Sequence, residues 1–199
     1  MSIPPIRVMV VDDEALVRDA VGVLLGLEDG IEVVATCGSA VDALQVSDVD
    51  VAVLDLQMPD TDGIELAMQL PEHVRTVIVT SHGRPGYLTR ALESGVSGFL
   101  PKTASAGRFA EAVRVVADGG RYVDPDLAAE AMRAGDCPLT PRECDVLELS
   151  ASGAPIGEVA ARAFLSPGTV RNYLSAAMVK LGAANRHEAV QIAQRYGWI

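Results

Sequence analysis

The first 118 residues repeat one unit: a short apolar run rich in β-branched residues, a polar stop, then a segment of helical periodicity. The runs are Ile6–Val11, Ile31–Thr36, Val49–Leu54, Thr76–Val79 and Val96–Leu100. Continuous apolar runs of this length read as strands buried on both faces. Between them, Ala15 to Leu27 spaces Leu16, Ala20, Val23, Leu24 and Leu27 at helical intervals. Ser39–Val46, Ile64–Leu70, Tyr87–Glu93 and Ser105–Ala117 are the further helices, the last with Phe109, Ala112, Val113 and Val116 on one face. Alternation of this kind predicts an α/β fold: a five-stranded parallel sheet, doubly wound, with right-handed helical crossovers on both faces. No G-x-G-x-x-G follows the first run, so nothing supports a dinucleotide site there.

Each strand also ends on a polar residue. Asp12 and Asp13 follow the first, Asp55 the third, Thr80 the fourth and Lys102 the fifth. In open α/β sheets the site lies outside the carboxyl ends of the strands, so these side chains are expected on one rim. Clustered carboxylates repel unless a cation joins them, and hard oxygen ligands suit Mg²⁺. Lys102 supplies a point charge for a phosphoryl oxygen and Thr80 a hydroxyl donor. Such a set performs phosphoryl transfer with a carboxylate as nucleophile. Asp55, at the end of the expected central strand, is assigned that role. Taken singly, each residue has a plainer use: Asp12-Asp13 could cap the first helix, and Lys102 could be a solvated surface charge. The joint pattern is what favours a site.

Charge divides the chain. Residues 1–135 carry a net −11 and residues 136–199 carry 0, but within the latter residues 159–199 carry +4. The acidic part would repel nucleic acid, whereas the last forty residues could face a polyanion. Leu139-Thr140-Pro141-Arg142-Glu143 is a capping box with Pro at the first helical position. Ile156–Ala163 reads as a second short helix. Ser166-Pro167 starts a third helix, in which Val170, Leu174, Ala177, Met178 and Leu181 face inward. Arg171, Asn172 and Ser175 therefore face out from its first turns. A helix-turn-helix puts that part of its second helix in the major groove, where Arg reads guanine and Asn reads adenine. Asn185 to Ala189 starts a fourth helix. A generic four-helix bundle is the alternative.

Val10-Val11-Asp12-Asp13, Leu54-Asp55-Leu56-Gln57-Met58-Pro59, Val79-Thr80-Ser81 and Gly98-Phe99-Leu100-Pro101-Lys102 resemble the signature blocks of response-regulator receiver domains, which have a flavodoxin-like fold. The resemblance implies Asp55 as phosphoacceptor. It implies Mg²⁺ on Asp13, Asp55 and the Gln57 backbone carbonyl, with Asp12 acting through a metal-bound water. It further implies a phosphoryl contact from Lys102, and a switch formed by Thr80 and Phe99 whose ring turns inward. Two departures are Pro101, which removes a backbone donor, and Thr103, where an acidic residue is common in the subfamily. The tail, from Leu139 to Ala189, resembles the LuxR-type helix-turn-helix of the NarL/FixJ response regulators. That resemblance places DNA contacts at Thr169, Arg171, Asn172, Ser175 and Lys180, with Ser175 replacing a frequent Lys. Arg84-Pro85-Gly86-Tyr87, Gly168 to Tyr173 and Gly197-Trp198 resemble the membrane-fluidity (desaturase) regulators of this family.

The expected organisation is a receiver over residues 1–118, a linker over 119–137 and a four-helix DNA-binding domain over 138–199. Gly119-Gly120 should break the fifth helix, Pro125 to Met132 form a short one, and Gly135 to Pro138 a flexible stop. Expected partners are a sensor histidine kinase, promoter DNA with inverted or direct half-sites, a second copy on phosphorylation, and RNA polymerase. Neither a signal peptide nor a run of roughly 20 apolar residues is present, so no membrane insertion is expected. Cys37, Cys137 and Cys144 fit no disulfide scaffold or zinc spacing, which suits a reducing cytoplasm. As an enzyme, an aspartate-nucleophile phosphatase would need a second acid two residues after Asp55, and Gln57 stands there. A regulator that works without phosphorylation is the third reading; the complete acidic set opposes it.

Overall fold

A computed structural model describes residues 4–59, 61–81, 85–134 and 137–199. Of the segments singled out from the sequence, Arg84, Gly135 and Asp136 lie outside the described residues. The chain divides into two compact units, Met1–Gly83 with Thr89–Pro125, and Arg84–Leu88 with Asp126–Ile199.

Strands β1 (Ile6–Val11), β2 (Ile31–Cys37), β3 (Val51–Asp55), β4 (Arg75–Thr80), β5 (Gly98–Pro101) and β6 (Tyr122–Val123) form one parallel sheet in the order β2-β1-β3-β4-β5-β6. Helices α1 (Ala15–Gly26), α2 (Ala40–Ala43), α3 (Gly63–Gln69), α4 (Pro85–Glu93) and α5 (Ala106–Ala117) make the crossovers. All five residues of β3 are buried. Its neighbours β1 and β4 cover its edges and helices cover its faces, as a continuous apolar run requires. Side chains alternate along each strand. Val8, Val10, Val51, Val53, Val77, Val79 and Leu100 pack with Val21 and Leu25 of α1 and Phe109, Val113 and Val116 of α5. Met9, Val11, Leu54, Ile78 and Phe99 point to the other face.

Two expectations are corrected here. The sheet has six strands rather than five. Tyr122 and Val123 pair with Gly98 and Phe99, so sheet structure continues into the segment expected to be linker. Two residues carry no periodicity, which hid them. Gly119, at φ +82°, makes the turn that returns the chain to the sheet.

The buried face of α1 also differs. Val21 and Leu25 are buried and Val17 half-buried, while Leu16 (85% exposed), Val23 and Leu27 lie in solvent. The segment is apolar nearly all round, so two helical stripes fit it. The sheet selects the stripe at 17, 21 and 25.

Helix α6 (Pro125–Ala134) spans the short helix expected from Pro125. The C-terminal helices are α7 (Pro141–Leu149), α8 (Ile156–Arg162), α9 (Pro167–Leu181) and α10 (Arg186–Arg195). They enclose their own core of Val146, Leu147, Val159, Val170, Leu174, Ala177, Ala189, Val190 and Ala193. Thr140 and Glu143 form the expected capping box, and Gly182 closes α9 in the left-handed conformation at φ +63°. Among the described residues no helix is long and apolar enough to cross a membrane.

Candidate functional site

The strand ends converge as their positions demand. Asp12 stands one residue beyond β1 and is 4% exposed; Asp55 ends β3 at 5%. Asp12, Asp13 and Asp55 each offer a carboxylate oxygen within 4.8 Å of the others. Asp12 does serve the start of α1, since its Oδ1 accepts the Glu14 amide at 2.9 Å. Its other oxygen, Oδ2, faces Lys102 Nζ at 2.8 Å. The same ammonium lies 3.1 Å from Asp55 Oδ2 and 3.1 Å from Glu14 Oε1. Lys102, its side chain 9% exposed, is therefore a largely covered bridge between carboxylates and not a solvated surface charge.

The electrostatics follow from this crowding. Burial pushes the Asp55 carboxyl up to about 6 against the pull of Lys102, with Asp12 raising it further. Burial and then Asp12 raise Asp13. For Lys102 burial acts downward, but the bond to Asp12 and the charge of Asp55 outweigh it and hold the ammonium protonated. Three carboxylates and one ammonium leave an excess of negative charge with hard oxygen donors, a donor set that fits a divalent cation such as Mg²⁺.

The remaining rim residues sit where expected. Thr80 ends β4, is buried, and its carbonyl accepts the Lys102 amide at 2.7 Å. Phe99 is fully buried in β5. Gln57 is exposed, and its backbone amide donates to Asp55.

Three features escaped the sequence reading. Glu14 is a third partner of Lys102. Gly63 opens α3 so close to β3 that a Cβ there would stand 2.1 Å from the Asp55 carbonyl oxygen. Asp124, fully buried just beyond β6, pairs with Arg108 Nη1 at 2.7 Å. The first and third lie at separations that no local pattern reports. The Asp62-Gly63 pair at a helix start was the one available hint of the second.

In the C-terminal unit, Ser166 caps α9 by accepting the Thr169 amide at 3.1 Å, and the two hydroxyls share a bond of 2.8 Å. Val170, Leu174 and Ala177 are buried, and Arg171, Asn172 and Ser175 are exposed on the opposite side of the helix. Lys180, at the far end of α9, donates to Glu143 Oε2 at 2.7 Å, the same carboxyl oxygen that accepts the Thr140 amide. Lys180 thus ties α9 to the capping box of α7. Burial alone would raise the Glu143 carboxyl, but Lys180 and the Thr140 amide hold it below the ordinary glutamate value.

An α/β unit with an acidic rim at its strand ends, followed by a four-helix unit, is the build expected of a receiver joined to a DNA-binding domain. Comparison with known proteins narrows it. Residues 8–114 match the response regulator receiver domain, and residues 137–193 match the bacterial regulatory proteins of the luxR family. The transcriptional regulatory protein DesR of Bacillus subtilis (strain 168) is 38% identical over 97% of this chain and 98% of its own length. UhpA of Escherichia coli (strain K12), also a transcriptional regulatory protein, is 39% identical over 97% of this chain and 100% of its own length. The response regulator RamR of Streptomyces coelicolor is 40% identical over 97% and 98%. The crystal structure of the response regulator ChrA, from a heme-sensing two-component system, superposes with a TM-score of 0.60 at 31% identity, covering 99% of this chain and 100% of that one.

The chain belongs to the NarL/FixJ-type response regulators, in which a receiver precedes a LuxR-type DNA-binding domain. It is a transcription factor of that build. Relatives of different names match this chain at 38%, 39% and 40% identity, so identity does not single out the desaturase-regulator subgroup.

Proposed function

We propose that Asp55 accepts a phosphoryl group from a sensor histidine kinase, and that the modified receiver pairs with a second copy and engages promoter DNA through α9. The observation that carries this reading is Lys102 held between Asp12 and Asp55, beside Asp13. A carboxylate oxygen of Asp55 attacks phosphorus, the P–N bond of the donor breaks, and the imidazole keeps the electron pair. Asp13, Asp55 and the Gln57 carbonyl would hold Mg²⁺, with Asp12 beside them, and the ion would neutralise charge on the phosphoryl oxygens. Lys102 leaves its carboxylate partners for a phosphoryl oxygen, and the Thr80 hydroxyl donates to another. The added group brings roughly −2 charge, which gives both side chains a strong differential interaction with the modified state. Water attack on the acyl phosphate returns the receiver to its resting form, so the chain turns over no substrate but its own phosphate.

The apolar face of α1 at Leu16, Val23 and Leu27 supports self-association of the receiver, since exposed side chains of this kind mark contact surfaces. On DNA, Arg171, Asn172 and Ser175 read base edges, and Thr169 stands at the helix start beside the phosphates. Lys180 is committed to Glu143 and positions α9. RNA polymerase is the downstream partner, and the cytoplasm the compartment where kinase and promoter are both reached. The receiver domain is drawn over 1–118 with β6 added, and the DNA-binding domain over 138–199.

Treatment of the full chain with Mg²⁺ and acetyl phosphate tests the reading. A gain of about 80 Da is expected, lost in Asp55→Ala, together with tighter DNA binding. Equal mass or equal affinity with and without the donor would overturn it.

A further inference from the structure

The receiver mechanism leaves the three cysteines unused, and two of them lie together. Cys137 Sγ and Cys144 Sγ are 3.9 Å apart. Cys137 precedes the capping box and is partly exposed, whereas Cys144 is buried in the first turns of α7. We propose that Cys137 and Cys144 are a peroxide-oxidisable dithiol, in which Cys137 is attacked first and Cys144 resolves it to a disulfide.

The surroundings of Cys137 favour the thiolate. Cys144 donates a hydrogen bond to it, which outweighs burial; the Leu139 amide at the mouth of α7 also donates. Lys180 adds positive charge against the nearby Glu143 carboxylate. Together these bring the Cys137 thiol down to about 7, which raises its thiolate share at neutral pH above that of an ordinary cysteine, near about 8.5. Cys37, the third thiol, is buried and shifted the opposite way, by burial first and then by Asp42. The chain therefore contains its own unreactive reference.

Geometry permits the second step. A disulfide needs the sulfurs at about 2.0 Å, so they must approach by about 2 Å. Cys137 lies outside any helix or strand, so the approach can come from its side of the pair, by side-chain rotation and backbone movement.

The chemistry balances with hydrogen peroxide as oxidant. The Cys137 thiolate attacks one peroxide oxygen, the O–O bond breaks, and a sulfenic acid and hydroxide form. The Cys144 sulfur then attacks the sulfenic sulfur. The S–S bond forms and the sulfenic oxygen leaves as water, taking the thiol proton. Two electrons pass from the thiol pair to peroxide, and a dithiol reductant reverses the change. The product closes residues 137–144 into a ring over the Thr140–Glu143 capping box. That fixes where the chain enters the DNA-binding domain.

The test uses the reduced full chain with a tenfold excess of hydrogen peroxide at pH 7. Reactive thiols counted after denaturation should fall from three to one, and peptide mapping should join Cys137 to Cys144. Cys137 should react at least about tenfold faster than Cys37, given the opposed environments. Cys144→Ser should stop at a Cys137 sulfenic acid trapped by dimedone, and Cys137→Ser should lose the fast reaction. Oxidation of Cys37 at the rate of Cys137, a cross-link only between chains, or full-speed reaction of Cys137→Ser would each overturn the proposal. The comparison of Cys137 with Cys37 in the unmutated chain holds even if a variant folds poorly.

Discussion

Lys102 Nζ stands 3.1 Å from Asp55 Oδ2, although the strands that present the two residues are separated in the sheet by β4. The same ammonium reaches Asp12 Oδ2 at 2.8 Å, so one positive charge from the end of β5 joins carboxylates from two other strand ends. A buried charge without its partner is costly, by about 3–5 kcal/mol. Lys102→Ala should therefore lower the melting temperature and reduce phosphate uptake from acetyl phosphate by more than tenfold. Differential scanning calorimetry and intact-mass analysis check both. Unchanged stability would show that the carboxylates do not depend on this ammonium.

Divalent cation should stabilise the folded chain. At a Mg²⁺ concentration 100 times the dissociation constant the gain is about 2.7 kcal/mol. Asp13→Asn should abolish that gain. The Asp13 carboxyl is raised by burial and by Asp12, so its ionisation costs the folded state at neutral pH. Without metal the variant should therefore be at least as stable as the parent. Thermal melts with EDTA and with Mg²⁺ separate the two effects.

Gly63→Ala should disrupt the rim without removing any charged group. The new Cβ would meet the Asp55 carbonyl oxygen at 2.1 Å, an atom fixed by the sheet. Loss of about 3 kcal/mol in denaturant unfolding is expected, the upper part of the range for overpacking. Gly107→Ala, where a Cβ meets nothing within 4 Å, is the matched control.

The Glu143–Lys180 pair gives the C-terminal unit a pH dependence. The folded value of Glu143 lies below 4.5, so its contribution is fully present above about 4.5 and is lost as pH falls through the folded value. Glu143→Gln should cost about 1–3 kcal/mol at pH 7, the usual cost of breaking a charged hydrogen bond, and much less at pH 3. Equal losses at both pH values would exclude a role for the charge.

DNA binding should separate Arg171 from Lys180. Arg171→Ala removes the exposed side chain proposed to read a base, and should weaken specific binding by about 1–3 kcal/mol while relaxing preference at one base pair. Lys180→Ala should instead lower stability, through Glu143, and leave base preference unchanged. Footprinting on promoter DNA beside thermal melts reads both.

Much of the fold was legible because each signal was local. The β3 run is apolar at every position, and such a run has one stable environment, the middle of a parallel sheet. Asp55 and Lys102 were legible as rim residues because strand ends share a side. The α9 face was legible because Val170, Leu174 and Ala177 leave Arg171 and Asn172 only one direction. What stayed hidden depends on tertiary choice. Two stripes of α1 are equally apolar, and only the sheet distinguishes Val21 and Leu25 from Leu16 and Leu27. Glu14 joins Lys102 through space, and the two-residue β6 is visible only by its pairing.

That short sixth strand has a mechanical meaning. Val123 is in register with Phe99, and the Asp124 amide donates to the Phe99 carbonyl at 3.0 Å. Asp124 is anchored again by Arg108. The root of the connector therefore hangs by backbone rungs from the strand that ends beside Lys102. Any displacement of that strand at the acidic rim would reach the tether through main-chain hydrogen bonds.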